Sequence, residues 1–155
     1  FELAEKTTRI EALAHAGIGR AQNNIGACFA EGLGVERDPA LALRWLSLSA
    51  ESGDPVGQRN LAALHFKGEG VAQSDAEAMR LYRLAAEQDD APAQDMLSWM
   101  LLEGGEVSDR AEALRWAQTA AEAGIALLVG QRDADDLLRQ AEQFVGIVSE
   151  SIPLR

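Results

Sequence analysis

The stretch Glu31-Gly32-Leu33-Gly34-Val35 precedes a helix-like run, and paired glycines ahead of a helix are one ingredient of a phosphate-binding loop. Such a loop also needs a preceding strand and a third glycine, so that backbone amides can wrap the anion. Neither is present, and the glycine pair recurs as Gly68 and Gly70. A feature that occurs twice reads first as architecture. Other reactive types are just as sparse. His15 and His65 stand fifty residues apart, and the chain has no His-Glu-x-x-His, Gly-x-Ser-x-Gly or Ser-x-x-Lys. Cys28 is the single cysteine, which excludes an intrachain disulfide and a multi-cysteine metal site. No catalytic residue, metal or cofactor is therefore assigned.

Each reactive residue has a structural role to fill. His65 falls on an apolar helical stripe and reads as a hydrogen-bonded or half-buried substitute for an aromatic. His15 reads as lying near a helix end, where a positive charge suits the dipole. Cys28 lies about 60° from Ile25 at about 100° per residue, beside the core, as a small hydrophobe would.

Composition narrows the partners. Twenty-five acidic residues against 14 basic ones give a net charge of −11, which opposes nucleic acid and anionic lipid as partners. No apolar stretch approaches the roughly 20 residues needed to cross a bilayer, so membrane insertion is not expected. The apolar fraction is 47% but aromatics are only 5%, so Ala and Leu dominate and close-packed helices are favoured over sheets. A length of 155 residues suits one domain.

The elements that position these residues come from an internal repeat. Sliding the sequence by 36 residues aligns 21–56 with 57–92, and 13 of the 36 positions are identical. A third unit follows over 93–124, with one residue lost before Ala113-Leu114-Arg115-Trp116 repeats Ala42-Leu43-Arg44-Trp45. Residues 2–16 match the second half of a unit. That half-unit, and the start at Phe1 without an initiator Met, point to a processed protein or a piece of a longer array.

Each unit predicts two helices. Ala21, Ile25 and Phe29 share one stripe of the first helix, as do Gly57, Leu61 and His65, and Ala93, Leu97 and Leu101. The stripe stops at Gly32, Gly68 or Gly104, residues free to take the left-handed turn that ends a helix. Gly34 and Gly70 let the chain bend, and Val35 is expected to plug the corner. Asp38-Pro39, Ser74 with Glu77, and Asp109 with Glu112 supply start signals for the second helix. Its buried stripe is Ala42, Trp45, Leu46, Ser49 and Ala50, with Trp116 in the third copy. Gly53-Asp54-Pro55 closes the first unit, and the third ends at Gly124. A last helix over 133–150, apolar on one face, is expected to cap the stack.

With Ala-x-x-x-Leu-Gly-x-x-aromatic-x-x-Gly-x-Gly-Val at this period, followed by Asp38, Ala42, Trp45, Ala50 and Gly53, residues 2–124 resemble the Sel-one-like repeat family. The resemblance implies an all-α, right-handed α-α superhelix of about three helix-turn-helix repeats, close in shape to tetratricopeptide repeats. Departures are local: His65 stands for an aromatic, Asp89 for the closing Gly, and Glu106 for the second Gly of the third unit. The resemblance implies an adaptor in a bacterial signalling, secretion, envelope or quality-control complex, in cytoplasm or periplasm.

In such stacks the face of the first helix opposite the core lines a concave groove. Centring the core stripe on Ile25 places Asn23, Ala27 and Ala30 on that face, then Arg59, Ala63 and Phe66, then Asp95, Trp99 and Leu102. Phe66, Trp99 and Leu102, flanked by Asn23, Arg59, Lys67 and Glu31, would suit an extended or helical peptide. Alternatively the last helix folds into that groove. A small hydrolase acting on β-lactams, as proposed for cysteine-rich relatives, is a second reading, although their cysteine pairs are missing. A structural spacer that self-associates is a third.

Overall fold

The computed structural model describes the backbone of residues 2–104 and 107–128, and the side-chain surroundings of 9–104 and 109–124. The described residues form seven helices and no strand: α1 (Glu2–His15), α2 (Gly19–Glu31), α3 (Pro39–Glu51), α4 (Pro55–Lys67), α5 (Asp75–Ala86), α6 (Ala91–Gly104) and α7 (Val107–Leu128). Helices α2, α4 and α6 begin 36 residues apart each time, so the all-α architecture is a helical repeat. Two compact units result: Phe1–Asp90 carries α1 to α5, and Ala91–Arg155 carries α6 and α7. In the first, α2 packs against α1, α3 and α4, while α4 packs against α3 and α5; in the second, α6 packs against α7.

The helix boundaries follow from single residues. Gly32 and Gly68 end α2 and α4 at φ 72° and 71°, donating their amides to the carbonyls of Cys28 and Leu64. Asp38 Oδ1 accepts from the amides of Ala40 and Leu41, both at 3.0 Å, ahead of Pro39. Asp54 Oδ2 accepts from Gly57 N at 2.9 Å ahead of Pro55. Ser74 Oγ accepts from Glu77 N at 3.2 Å, but only half of the expected capping box forms. The Ser74 amide donates instead to the His65 carbonyl at 2.9 Å, and the Glu77 carboxylate accepts from Arg80 Nε and Nη2 at 2.9 and 2.6 Å.

Four expectations are corrected. Gly104 is the last residue of α6 but does not take a left-handed φ. Asp109 lies within the first turn of α7 and not ahead of it. The second helix of the third unit does not stop at Gly124, since α7 runs through it as a 22-residue helix; a lone helical glycine costs about 1 kcal/mol and is tolerated. Val35 plugs nothing and is 42% exposed. The expected helix over 133–150 lies outside the described residues.

The cores follow the periodic stripes in part, since Ile25, Phe29, Trp45, Ala50 and His65 are only half-buried. Ala42, Leu46 and Ser49 on α3, and Ala78, Leu81, Tyr82, Ala85 and Ala86 on α5, are buried in the first unit; Ala93, Leu97 and Leu101 on α6 are buried in the second. Small residues set helix spacing. A Cβ on Gly57 would lie 2.0 Å from Ser49 Oγ and 2.6 Å from Ser49 Cβ, so α4 meets α3 at backbone range. Gly70 is constrained twice: its φ is 71°, and a Cβ there would stand 2.6 Å from the Pro39 carbonyl oxygen.

Candidate functional site

A groove of about 220 Å³ lies between α2 and α4 in the first unit, and of Asn23, Arg59, Phe66, Lys67, Trp99 and Leu102 only Lys67 lines it. Ala27 and Ala30 on α2 and Ala63 on α4 form its walls, and Leu46 and Leu64 lie deeper. Three alanines facing each other leave width that larger side chains would fill. Glu31, Lys67 and Glu69 stand at the rim, with Lys67 and Glu31 exposed. Glu69 is held 3.1 Å from Arg37 Nη2, and Arg37 Nε also donates to the Ala30 carbonyl at 2.9 Å. That arginine fastens the loop after α4 to the end of α2.

Other predicted wall residues are placed differently. Asn23 is only 4% exposed, and its Oδ1 accepts from Asn60 Nδ2 at 2.8 Å, so it ties α2 to α4 and offers no surface. The expectation that it lines an open wall is corrected. A single core stripe misplaces it because α2 is covered by α1, α3 and α4, which together bury Ala21, Gln22, Asn23 and Gly26. Arg59 is half-buried, with Nε 3.5 Å from Asp90 Oδ2 at ion-pair distance but outside hydrogen-bond geometry. Beside it, burial pushes the Tyr82 phenol above its usual range, and the Arg59 charge pulls the other way. Phe66 on α4 is half-buried. In the second unit, Trp99 on α6 is 47% exposed and Leu102 is half-buried.

The reactive residues are accounted for separately. His65 is half-buried with Nδ1 unpartnered, and its charge helps to lower the Glu77 carboxyl, whose main cause is the Arg80 hydrogen bond. Cys28 is half-buried. Trp116 donates Nε1 to Glu112 Oε1 at 3.2 Å. Among the described residues no group of three His, Cys, Asp or Glu could hold a metal ion, and no helix is long and apolar enough to cross a membrane.

The sequence reading missed a polar series. Gln22, Gln58 and Gln94 recur every 36 residues and are 6%, 5% and 1% exposed. Gln22 Nε2 donates to the Ala14 carbonyl at 3.2 Å, and Gln58 Oε1 accepts from Gln88 Nε2 at 2.8 Å. Identity at the repeat period, directly after a small residue (Ala21, Gly57 or Ala93), was the available signal.

Comparison with known proteins agrees with this architecture. The family model of the Sel1 repeat matches residues 19–54, 55–90 and 91–125. One similar solved structure is a protective antigen of uropathogenic Escherichia coli displaying an SLR fold, at 34% identity and a TM-score of 0.70. It is matched over 76% of this chain, which spans only 26% of that protein. Another is a Sel1 repeat protein from Oxalobacter formigenes, at 32% identity and a TM-score of 0.69, covering 97% of this chain and 68% of that one. No curated protein matches.

Proposed function

The chain belongs to the Sel1 repeat family, a helical-repeat solenoid fold that is generally a non-catalytic protein-interaction scaffold, and on that premise we propose that it is an adaptor gripping a peptide segment of a protein partner. The observation that carries this reading is the alanine-walled groove between α2 and α4, rimmed by charge. A groove with a narrow apolar floor and a polar rim suits an extended chain or one helix face, with anchors below and backbone or charged groups above. Lys67 would orient an acidic group at one edge. The net charge of −11 otherwise favours a segment that is basic outside its anchor. Phe66, half-buried on α4 of the same unit, adds an aromatic of the kind that dominates binding energy. Arg59 and Asn23 act by holding the helices in place.

Selection of binders from a displayed peptide library tests this reading. Selected peptides should lose at least tenfold in affinity for Ala63→Trp, which fills the groove, and keep it for Leu33→Ala at an exposed turn residue. Phe66→Ala should weaken the same peptides. Peptides that bind all variants equally, with each variant folded by circular dichroism, would show that the groove is not the binding surface.

A further inference from the structure

A second cavity, of about 400 Å³, opens on the other side of the first unit, lined by Ala14 and His15 of α1, Gln22 of α2, and Leu41, Arg44, Trp45 and Leu48 of α3. Its volume lies in the range of small-ligand pockets, about 300–1,000 Å³. Gln22 is 6% exposed, and its Oε1 has no hydrogen-bond partner. The amide orientation is fixed chemically: only the Nε2 group can donate to the Ala14 carbonyl, which leaves the oxygen as the unused atom. A buried acceptor left without a donor is destabilising, so a site that keeps one is poised for a ligand N–H.

The second unit supplies the comparison; in the third, the buried Gln94 stands at the same position. One unit along, the equivalents of His15, Gln22, Leu41, Arg44, Trp45 and Ser52 are Glu51, Gln58, Glu77, Arg80, Leu81 and Gln88. There Gln88 satisfies Gln58 Oε1, and Glu77 neutralises Arg80. At the cavity both internal partners are replaced. Ser52 is too short to stand in for Gln88 and donates its hydroxyl to the Ser49 carbonyl at 2.6 Å. Leu41 stands where Glu77 would, so Arg44 has no carboxylate partner among the described residues. The other two changes act in the same direction. His15 removes a negative charge, and Trp45, edge-to-face with His15 at 5.3 Å, provides an aromatic wall. The site has therefore exchanged self-satisfaction for a buried acceptor without a donor, an exposed cation and an apolar surface.

We propose that this cavity binds an N-acylated apolar amino acid with a free carboxylate, the group found at the C-terminus of a peptide. The carboxylate would pair with Arg44, the amide N–H would donate to Gln22 Oε1, and the side chain would lie on Leu41, Trp45 and Leu48. This site is separate from the α2–α4 groove and does not depend on it.

Titration of N-acetyl-leucine into 15N-labelled chain, followed by NMR, gives the test. Saturable shifts of the Gln22 side-chain amide and the Trp45 indole N–H are expected, with a Kd of about 1 mM or tighter. N-acetyl-leucinamide, which lacks the charge, should bind about tenfold more weakly. Arg44→Gln should abolish that difference between acid and amide. Gln22→Met should weaken both ligands alike, and because it also removes the bond to Ala14, Arg44→Gln at the exposed position carries the decision. A tripeptide ending in leucine that binds more tightly than N-acetyl-leucine identifies peptide termini as the source; equal affinity identifies the free acylated amino acid. No saturable shift at about 10 mM, or equal binding of acid and amide to the parent chain, would overturn the proposal.

Discussion

Replacing Gly57 by alanine sets two physical effects against each other. Alanine is favoured over glycine in a helix interior by about 1 kcal/mol, so propensity alone predicts stabilisation. The structure predicts the reverse. An added Cβ would lie 2.0 Å from Ser49 Oγ, 2.6 Å from Ser49 Cβ and 3.1 Å from the Ser49 carbonyl carbon. Rotating the hydroxyl away would break its 2.7 Å bond to the Gly19 carbonyl, worth about 1 kcal/mol. The Cβ contact would remain, and relieving it requires α4 to move away from α3, at the overpacking cost of about 1–3 kcal/mol. The net is a destabilisation of about 2 kcal/mol, or a fall of roughly 5 °C in Tm. A double-mutant cycle in urea, read by far-ultraviolet circular dichroism, isolates the cause. With Ser49→Gly already in place, both short contacts disappear, and Gly57→Ala should be neutral or gain up to about 1 kcal/mol. Stabilisation of the parent chain by Gly57→Ala, or an equal cost in both backgrounds, would refute the reasoning.

Three further outcomes follow from single residues. Asp54→Ala should cost more than Asp38→Ala in urea denaturation, each losing a helix cap worth about 1 kcal/mol, because Asp54 also pairs with Arg20 at 3.0 Å. Asp89 has φ 62°, where the family pattern has glycine, so Asp89→Gly should raise Tm by a degree or two and Asp89→Val should lower it by more. Glu77 is held below its usual carboxyl range chiefly by the Arg80 hydrogen bond, so an NMR titration should find it low and Arg80→Gln should return it towards the ordinary carboxyl range. A depressed folded pKa adds stability above the unfolded value and loses it as pH falls through the folded one. The advantage of the parent chain over Glu77→Gln should therefore be present at neutral pH and vanish on acidification below the usual carboxyl range.

The repeat and most helix ends were legible because each is announced by one residue with one physical role. Asp38, Asp54, Ser74, Gly32 and Gly68 act on the backbone within four positions of themselves. Features made between helices were not. Asn23 reads as a surface residue on a two-faced helix, and only the packing of α1, α3 and α4 around α2 explains its burial against Asn60. The Ser49–Gly57 contact and the open Gln22 oxygen likewise depend on which side chain stands across a junction. Ala27, Ala30 and Ala63 were placed on a common face by helical angle alone, but the width between them required both helices. Gly124 misled for a simpler reason: glycine permits a helix to stop without requiring it.

The close fit of Ser49 to Gly57 also limits how an array of this kind can change its number of units. Removing residues 55–90 would preserve the period and every cap, yet it would set Ala93 where Gly57 had been, with a methyl group driven into Ser49. Recombining instead between Leu48 and Ala85 removes the same number of residues but sets Ala85, which has no hydroxyl, where Ser49 had been. Units that look interchangeable in outline are keyed to their neighbours, and viable crossovers fall inside the second helix, upstream of the key, and not in the turns that mark the repeat.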